Sequence, residues 1–337
     1  MFLAITCVLA LLVSCHPAER TVTPIDNPSL PARGFFMGLL PMPDSGQSFD
    51  SAYRQAARYS EFVPVWGKPS AFYELAADLQ GSWGTFFVHD YTRGNGMFPI
   101  VHLSFMGEGM TLSTPPGMTG ATLSAPAWRI AYLHAALDVV RTAKTRYLSL
   151  GNEVNRWYEK HGVADTNPNG FQNFISLYEE VYDSVKQLSP ETKVFCTFAR
   201  EIVDENREAD LGVLSRFNPD KLDLLVFTSY PFAVQGTNRP DSMPDDYYSR
   251  ALTIMPGKPF GLIEIGWTDL NFFGGEQGQA DFLTQAAGRL TRDQGVNLSL
   301  LGWAWLHDLD TNDHVGLIHN DGAEKAAYQV WKTLSGR

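Results

Sequence analysis

Two glutamates stand where an apolar strand has no use for them. Arg146 to Trp157 reads RYLSLGNEVNRW, in which Tyr147, Leu148 and Leu150 suit a buried parallel strand and Gly151, Asn152 and Glu153 end it. Far along the chain, GLIEIGW from Gly261 to Trp267 sets Glu264 between Ile263 and Ile265. An unpaired carboxylate in such a run costs several kcal/mol or takes up a proton, so two of them at strand ends suggest a shared task. With one protonated and one ionised, the pair could protonate a leaving oxygen and stabilise or attack an anomeric carbon, the chemistry of glycosidic cleavage. Asn152 could hold a sugar hydroxyl beside the reacting carbon. Neighbouring strand residues face opposite ways, so Asn152 and Glu153 share one site only if the chain bends at Gly151 or directly after it.

Bringing Glu153 and Glu264 together requires strands whose C-terminal ends converge. Apolar runs at 34–39, 61–66, 98–104, 146–150, 193–197, 222–228, 260–265 and 298–303 read as strands. Helical stretches at 49–59, 70–79, 126–144, 170–188, 206–217, 245–254, 276–291 and 323–334 alternate with them. In the fourth of these, Phe174, Leu177, Tyr178, Val181 and Val185 form an apolar stripe at helical spacing. Eight strands each followed by a helix predict a closed parallel α/β barrel, a (β/α)8 TIM barrel in a single domain over 33–337. An open doubly wound sheet is the alternative, but neither G-x-G-x-x-G nor G-x-x-x-x-G-K follows any strand. Residues 81–95 read as irregular, with a hairpin extending the loop before the third strand.

In a barrel the loops after the strands form the working face. The residues placed there are Trp66, His102, Asn152 and Glu153, Ser229 and Tyr230, Glu264, and Trp303 and Trp305, with Trp267 just beyond the seventh strand. Tryptophan faces match the C–H faces of pyranose rings, but each of the four tryptophans could equally pack in the core. His102 could equally be a buried histidine, and Ser229-Tyr230-Pro231 is also ordinary turn chemistry.

The net charge of −11, from 26 basic against 37 acidic residues, with no long basic run, argues against nucleic acid as a partner. A neutral polymer or small molecule fits better. Residues 1–15, MFLAITCVLALLVSC, carry no charge and are short for a membrane span, which predicts an export signal. Leu12-Val13-Ser14-Cys15 resembles the bacterial lipoprotein box, so Cys15 is expected to carry a lipid and anchor an exported, periplasmic or surface protein to the membrane. No Lys or Arg precedes the apolar run, and an ordinary signal peptide is the alternative. Residues 16–32 contain Pro17, Pro24, Pro28 and Pro31 and predict an extended tether. Cys196, in an apolar run, reads as a buried structural thiol.

The Asn152-Glu153 pair ending the fourth strand and Glu264 ending the seventh resemble clan A of the glycoside hydrolases, retaining (β/α)8 enzymes. Within that clan, Leu150-Gly151-Asn152-Glu153, Ser229-Tyr230-Pro231-Phe232, Glu276-Gln277-Gly278-Gln279 and the segment 314–322 are similar to the arabinogalactan endo-β-1,4-galactanase family. The resemblance implies Glu153 as acid/base and Glu264 as nucleophile, about 5 to 5.5 Å apart. It also implies that Tyr230 donates its hydroxyl to Glu264 and that Trp305 floors the subsite of the cleaved sugar. A monomer needing no cofactor is expected. His102-Leu103-Ser104-Phe105 and Trp303-Ala304-Trp305-Leu306 depart from the galactanase pattern, and no arginine appears near the first or second strand end. A catalytically silent, glycan-binding barrel is therefore one alternative. Metal-dependent hydrolysis through His307, Asp308, Asp310, Asp313 and His314 is another, although no His-x-His occurs.

Overall fold

A computed structural model describes residues 21–66, 71–164, 166–291 and 295–337. The leader, its Cys15 and the first part of the tether lie outside the described residues. Eight strands form the barrel: β1 (Phe36–Leu40), β2 (Phe62–Val65), β3 (Phe98–His102), β4 (Tyr147–Ser149), β5 (Lys193–Phe195 continued by Thr197–Ala199), β6 (Leu225–Ser229), β7 (Phe260–Ile265) and β8 (Leu298–Trp305). All neighbours pair in parallel, and β1 pairs with β8, Phe36 opposite Leu300. The ring closes through the two halves of β5: the first pairs with β4 and the second with β6, the break falling at buried Cys196.

The covering helices are α1 (Phe49–Ala56), α2 (Leu75–Gln80), α3 (Pro126–Ala143), α4 (Val154–His161), α5 (Phe171–Leu188), α6 (Ala251–Ile254), α7 (Gly275–Arg289) and α8 (Ala326–Ser335). Strands buried on both faces and helices buried along one stripe share a continuous apolar core. In α5, Phe174, Leu177, Tyr178, Val181 and Val185 are all buried, as their spacing requires.

Three expectations need correction. Residues 206–217 are not a helix: Asn206, at φ 53, closes a hairpin pairing Glu201–Ile202 with Arg207–Glu208, and Asp210 then caps a 3-10 turn, Leu211–Arg216. Residues 81–95 are not a hairpin but a π-helix over Gly84–Thr92 followed by a 3-10 turn, with Gly84, Val88 and Thr92 turned inward. The described part of the tether is fastened to the barrel. Val22 and Ile25 donate backbone N–H groups to the Leu188 and Lys144 carbonyls at 2.7 and 3.0 Å. Arg93 grips buried Asp26 bidentately, at 2.8 and 2.7 Å.

Candidate active site

The fourth strand ends in two unusual backbone conformations. Gly151 has φ 152, and a Cβ there would approach Val154 Cγ1 to 2.6 Å. Glu153 follows in the left-handed region at φ 48, ψ 47, capping α4. The chain thus bends where Asn152 and Glu153 must share a face. Thr197 on β5 ties both down, donating to Asn152 Oδ1 at 2.6 Å and accepting the Glu153 N–H at 2.9 Å. One residue into α4, buried Asn155 exchanges two hydrogen bonds with the backbone of Ala199, at 2.8 and 2.7 Å.

The two carboxyls are connected through Thr228 on β6. Thr228 donates its hydroxyl to Glu153 Oε1 at 2.7 Å and is the ladder partner of Glu264. The ladder shifts register between Phe227 and Thr228, an irregularity of the kind that re-aims side chains at a barrel rim. Two residues past Thr228, Tyr230 donates its hydroxyl to Glu264 Oε1. Gly266 makes room for the ring, since a Cβ there would lie 2.7 Å from the Tyr230 ring. Burial pushes the Glu264 carboxyl up to about 7; the Tyr230 hydrogen bond opposes this and the Glu153 charge adds to it. Burial, then Glu264, hold the Tyr230 hydroxyl well above its ordinary value, so it stays a donor. Glu153 Oε2 accepts from Arg156 at 3.2 Å, and the same guanidinium reaches Asp204 at 3.3 Å. Asn152, Glu153, Arg156 and Asp204 line a cavity of about 430 Å3 together with Ser104 and Met106.

Of the remaining candidates, Trp305 is half-buried and donates its indole N–H to Asp313 at 2.6 Å. Trp66 is also half-buried and stacks on His102, centroids 3.9 Å apart. Burial pushes His102 down to about 3, so it is neutral, and neither ring nitrogen has a partner among the described residues. Trp267 and Trp303 are corrected from site to core. Both are fully buried, with indole N–H groups satisfied by the carbonyls of Phe273 and Val315 at 3.1 and 2.9 Å. Cys196 is buried and unpaired, its thiol pushed up by burial.

The acidic loop after β8 does not assemble as a metal centre from the five residues proposed. His307 Nδ1 faces the Met42 carbonyl, Asp310 caps Asn312, and Asp313 accepts from Trp305 and from Leu309 N–H. Asp269, Asp308 and His319 do converge, but the buried Lys325 ammonium lies 2.8 and 2.7 Å from the two aspartates, supplying the cation they need.

Sequence reasoning missed Thr197, Thr228, Arg156 and Glu201. Thr228 carried a legible signal, standing two residues before Tyr230 and hence on its side of the strand. Arg156, three residues after Glu153 on a helix, carried another. Glu201 carried none, because its contacts are set by the hairpin that replaced the expected helix.

No family model and no curated sequence matches the chain. Solved structures do match in shape. A family 39 glycoside hydrolase from Bacteroides cellulosilyticus WH2 is 15% identical, with a TM-score of 0.60 over 90% of this chain, which spans 64% of that chain's length. GH5_18 from Streptomyces cattleya, solved with GlcNAc, is 16% identical at a TM-score of 0.62, covering 91% of this chain and 81% of that one. Xylanase 10B from Thermotoga maritima is 12% identical at 0.62, covering 90% and 95%. Identities this low establish the (β/α)8 fold alone.

Proposed function

We propose that the chain is a retaining glycoside hydrolase acting on a β-linked oligo- or polysaccharide. The observation that carries this reading is the junction at Thr228, which is bonded to the strand-end carboxyl of Glu153 and paired across the ladder with that of Glu264. The shape likeness to glycoside hydrolases of three families is consistent with it. Glu264, aimed by Tyr230, attacks the anomeric carbon as the glycosidic C–O bond breaks, while Glu153 gives its proton to the departing oxygen. Glu153 then takes a proton from water, whose oxygen displaces Glu264 and releases the sugar. Asn152 is placed to hold a hydroxyl beside that carbon, and Trp305, Trp66 and His102 are the candidates for ring and hydroxyl contacts. The galactanase-like motifs make galactan the first substrate to try. Cys15 is proposed as the lipidated residue of an exported, membrane-anchored form, testable by radiolabelled palmitate incorporation that Cys15→Ser abolishes.

One observation favours the silent barrel instead. Arg156 and Thr228 both donate hydrogen bonds to Glu153, the residue asked to give up a proton, while burial raises Glu264, the carboxyl asked to act as a charged nucleophile. The two readings separate in one experiment with residues 16–337 against galactan, mannan, glucan and aryl β-glycosides. A hydrolase releases reducing ends, and Glu153→Gln and Glu264→Gln each abolish release while sugar binding by calorimetry persists. Binding without release by the unaltered domain on every substrate would refute the enzyme.

A further inference from the structure

Behind the mouth lies a buried carboxylate that the mechanism leaves without a role. Glu201, in the hairpin after β5, is 4% exposed. Its Oε2 accepts the Tyr230 backbone N–H at 2.6 Å, and its Oε1 accepts the hydroxyls of Ser229 at 2.8 Å and Tyr247 at 2.6 Å. Ser229 in turn lies 3.2 Å from the Tyr248 hydroxyl. Tyr247 is itself held: Arg200 lies over its ring at 4.1 Å and donates to its carbonyl at 3.1 and 2.9 Å, with Glu208 balancing the guanidinium at 2.7 Å. These contacts form one line, from Glu208 through Arg200, Tyr247, Glu201 and Tyr230 to Glu264.

A buried carboxylate is a costly way to fill space, and burial has pushed this one up to about 7 against the donors around it. An apolar residue would serve packing better. What a carboxylate offers is two oxygens that grip a backbone N–H and two hydroxyls at once. The grip falls where β6 turns away at Tyr230 (φ −131, ψ 70) into Pro231, the step that sets where the tyrosine hydroxyl goes. We propose that Glu201 is a positioning residue, holding the Ser229-Tyr230 step so that the Tyr230 hydroxyl reaches Glu264. The kinetic part of the test rests on Glu264 being the nucleophile; the structural part does not.

The test follows the Glu264 carboxyl by NMR in protein labelled with 13C-glutamate, its resonance assigned through Glu264→Gln. Glu201→Ala is expected to move the Glu264 titration upward, the direction in which Tyr230→Phe moves it. It is also expected to lower kcat by about 10- to 100-fold, with KM changing far less. Glu201→Gln should restore both, because its amide oxygen can take the Tyr230 N–H while its NH2 turns to the two hydroxyls. The proposal is overturned if folded Glu201→Ala leaves the Glu264 titration at its wild-type position while Tyr230→Phe shifts it, or if glutamine restores nothing. Should the alanine variant not fold, Tyr247→Phe removes one anchor of Glu201 without opening a cavity and must give a smaller shift of the same sign. A domain that hydrolyses no glycoside refutes the hydrolase reading, and the NMR titration still decides this one.

Discussion

Glutamine at position 264 removes the proposed nucleophile and, above neutral pH, should make the protein more stable. The carboxyl titrates near 7 in the folded protein against an ordinary value of 4.5, because burial outweighs the Tyr230 hydrogen bond. Between those two values the folded state holds a proton that the unfolded chain has released. The stabilisation is therefore complete below the unfolded value and is lost as pH rises through the folded one. At about 1.4 kcal/mol per tenfold change in proton affinity, the gap amounts to ~3 kcal/mol. That is a ceiling, because Glu264 is only half-buried at the rim and water moderates the cost. Glutamine carries no such charge and can still accept from Tyr230. Urea unfolding at pH 5 should find Glu264→Gln within about 1 kcal/mol of wild type. At pH 8.5 it should be more stable by ~1–3 kcal/mol, or about 2–4 °C in Tm for a chain of this size. Glu201 also titrates near 7 but is common to both proteins and cancels. Parallel stability–pH curves for the two would refute the argument that Glu264 is held in a desolvated site.

Two further outcomes follow from neighbouring contacts. Tyr230→Phe removes the donor that keeps Glu264 ionised, so the acidic limb of kcat/KM, expected near 7, should move to higher pH, and the plateau should fall about 10- to 100-fold; an unmoved limb on a folded variant would count against Tyr230 as the residue that charges Glu264. Lys325→Met leaves Asp269 and Asp308 facing each other without their buried ammonium, and should cost about 3–5 kcal/mol in urea unfolding at pH 8; a loss below about 1 kcal/mol would mean that another cation takes its place there.

The parts of this fold that could be read from sequence are those where one periodicity decides the outcome. Apolar runs buried on both faces became strands, and the stripe on α5 became a helix face, because burial alone selects them. The same logic reached the site through a conflict. Asn152 and Glu153 could not share a face on a regular strand, and Gly151 at φ 152 with Glu153 in the left-handed region is how the chain resolves it. Where two forces compete, the pattern misled. Residues 206–217 carry helical spacing at Leu211, Val213, Leu214 and Phe217, yet Asp210 bonds the Gly212 N–H and Asn206 takes a left-handed turn, so local side-chain capping won over periodicity. Trp267 and Trp303 were ambiguous for a different reason. An indole gains as much from core packing as from a sugar face, and only the carbonyls of Phe273 and Val315, in the loops six and twelve residues further along the chain, settle which use prevails. Glu201 lies deepest in this sense: its role depends on Ser229, Tyr230 and Tyr247 arriving from later in the chain. The carboxyls proposed for the chemistry announce themselves by interrupting a strand. The groups that aim them carry no local mark, because their partners are chosen by topology rather than by spacing.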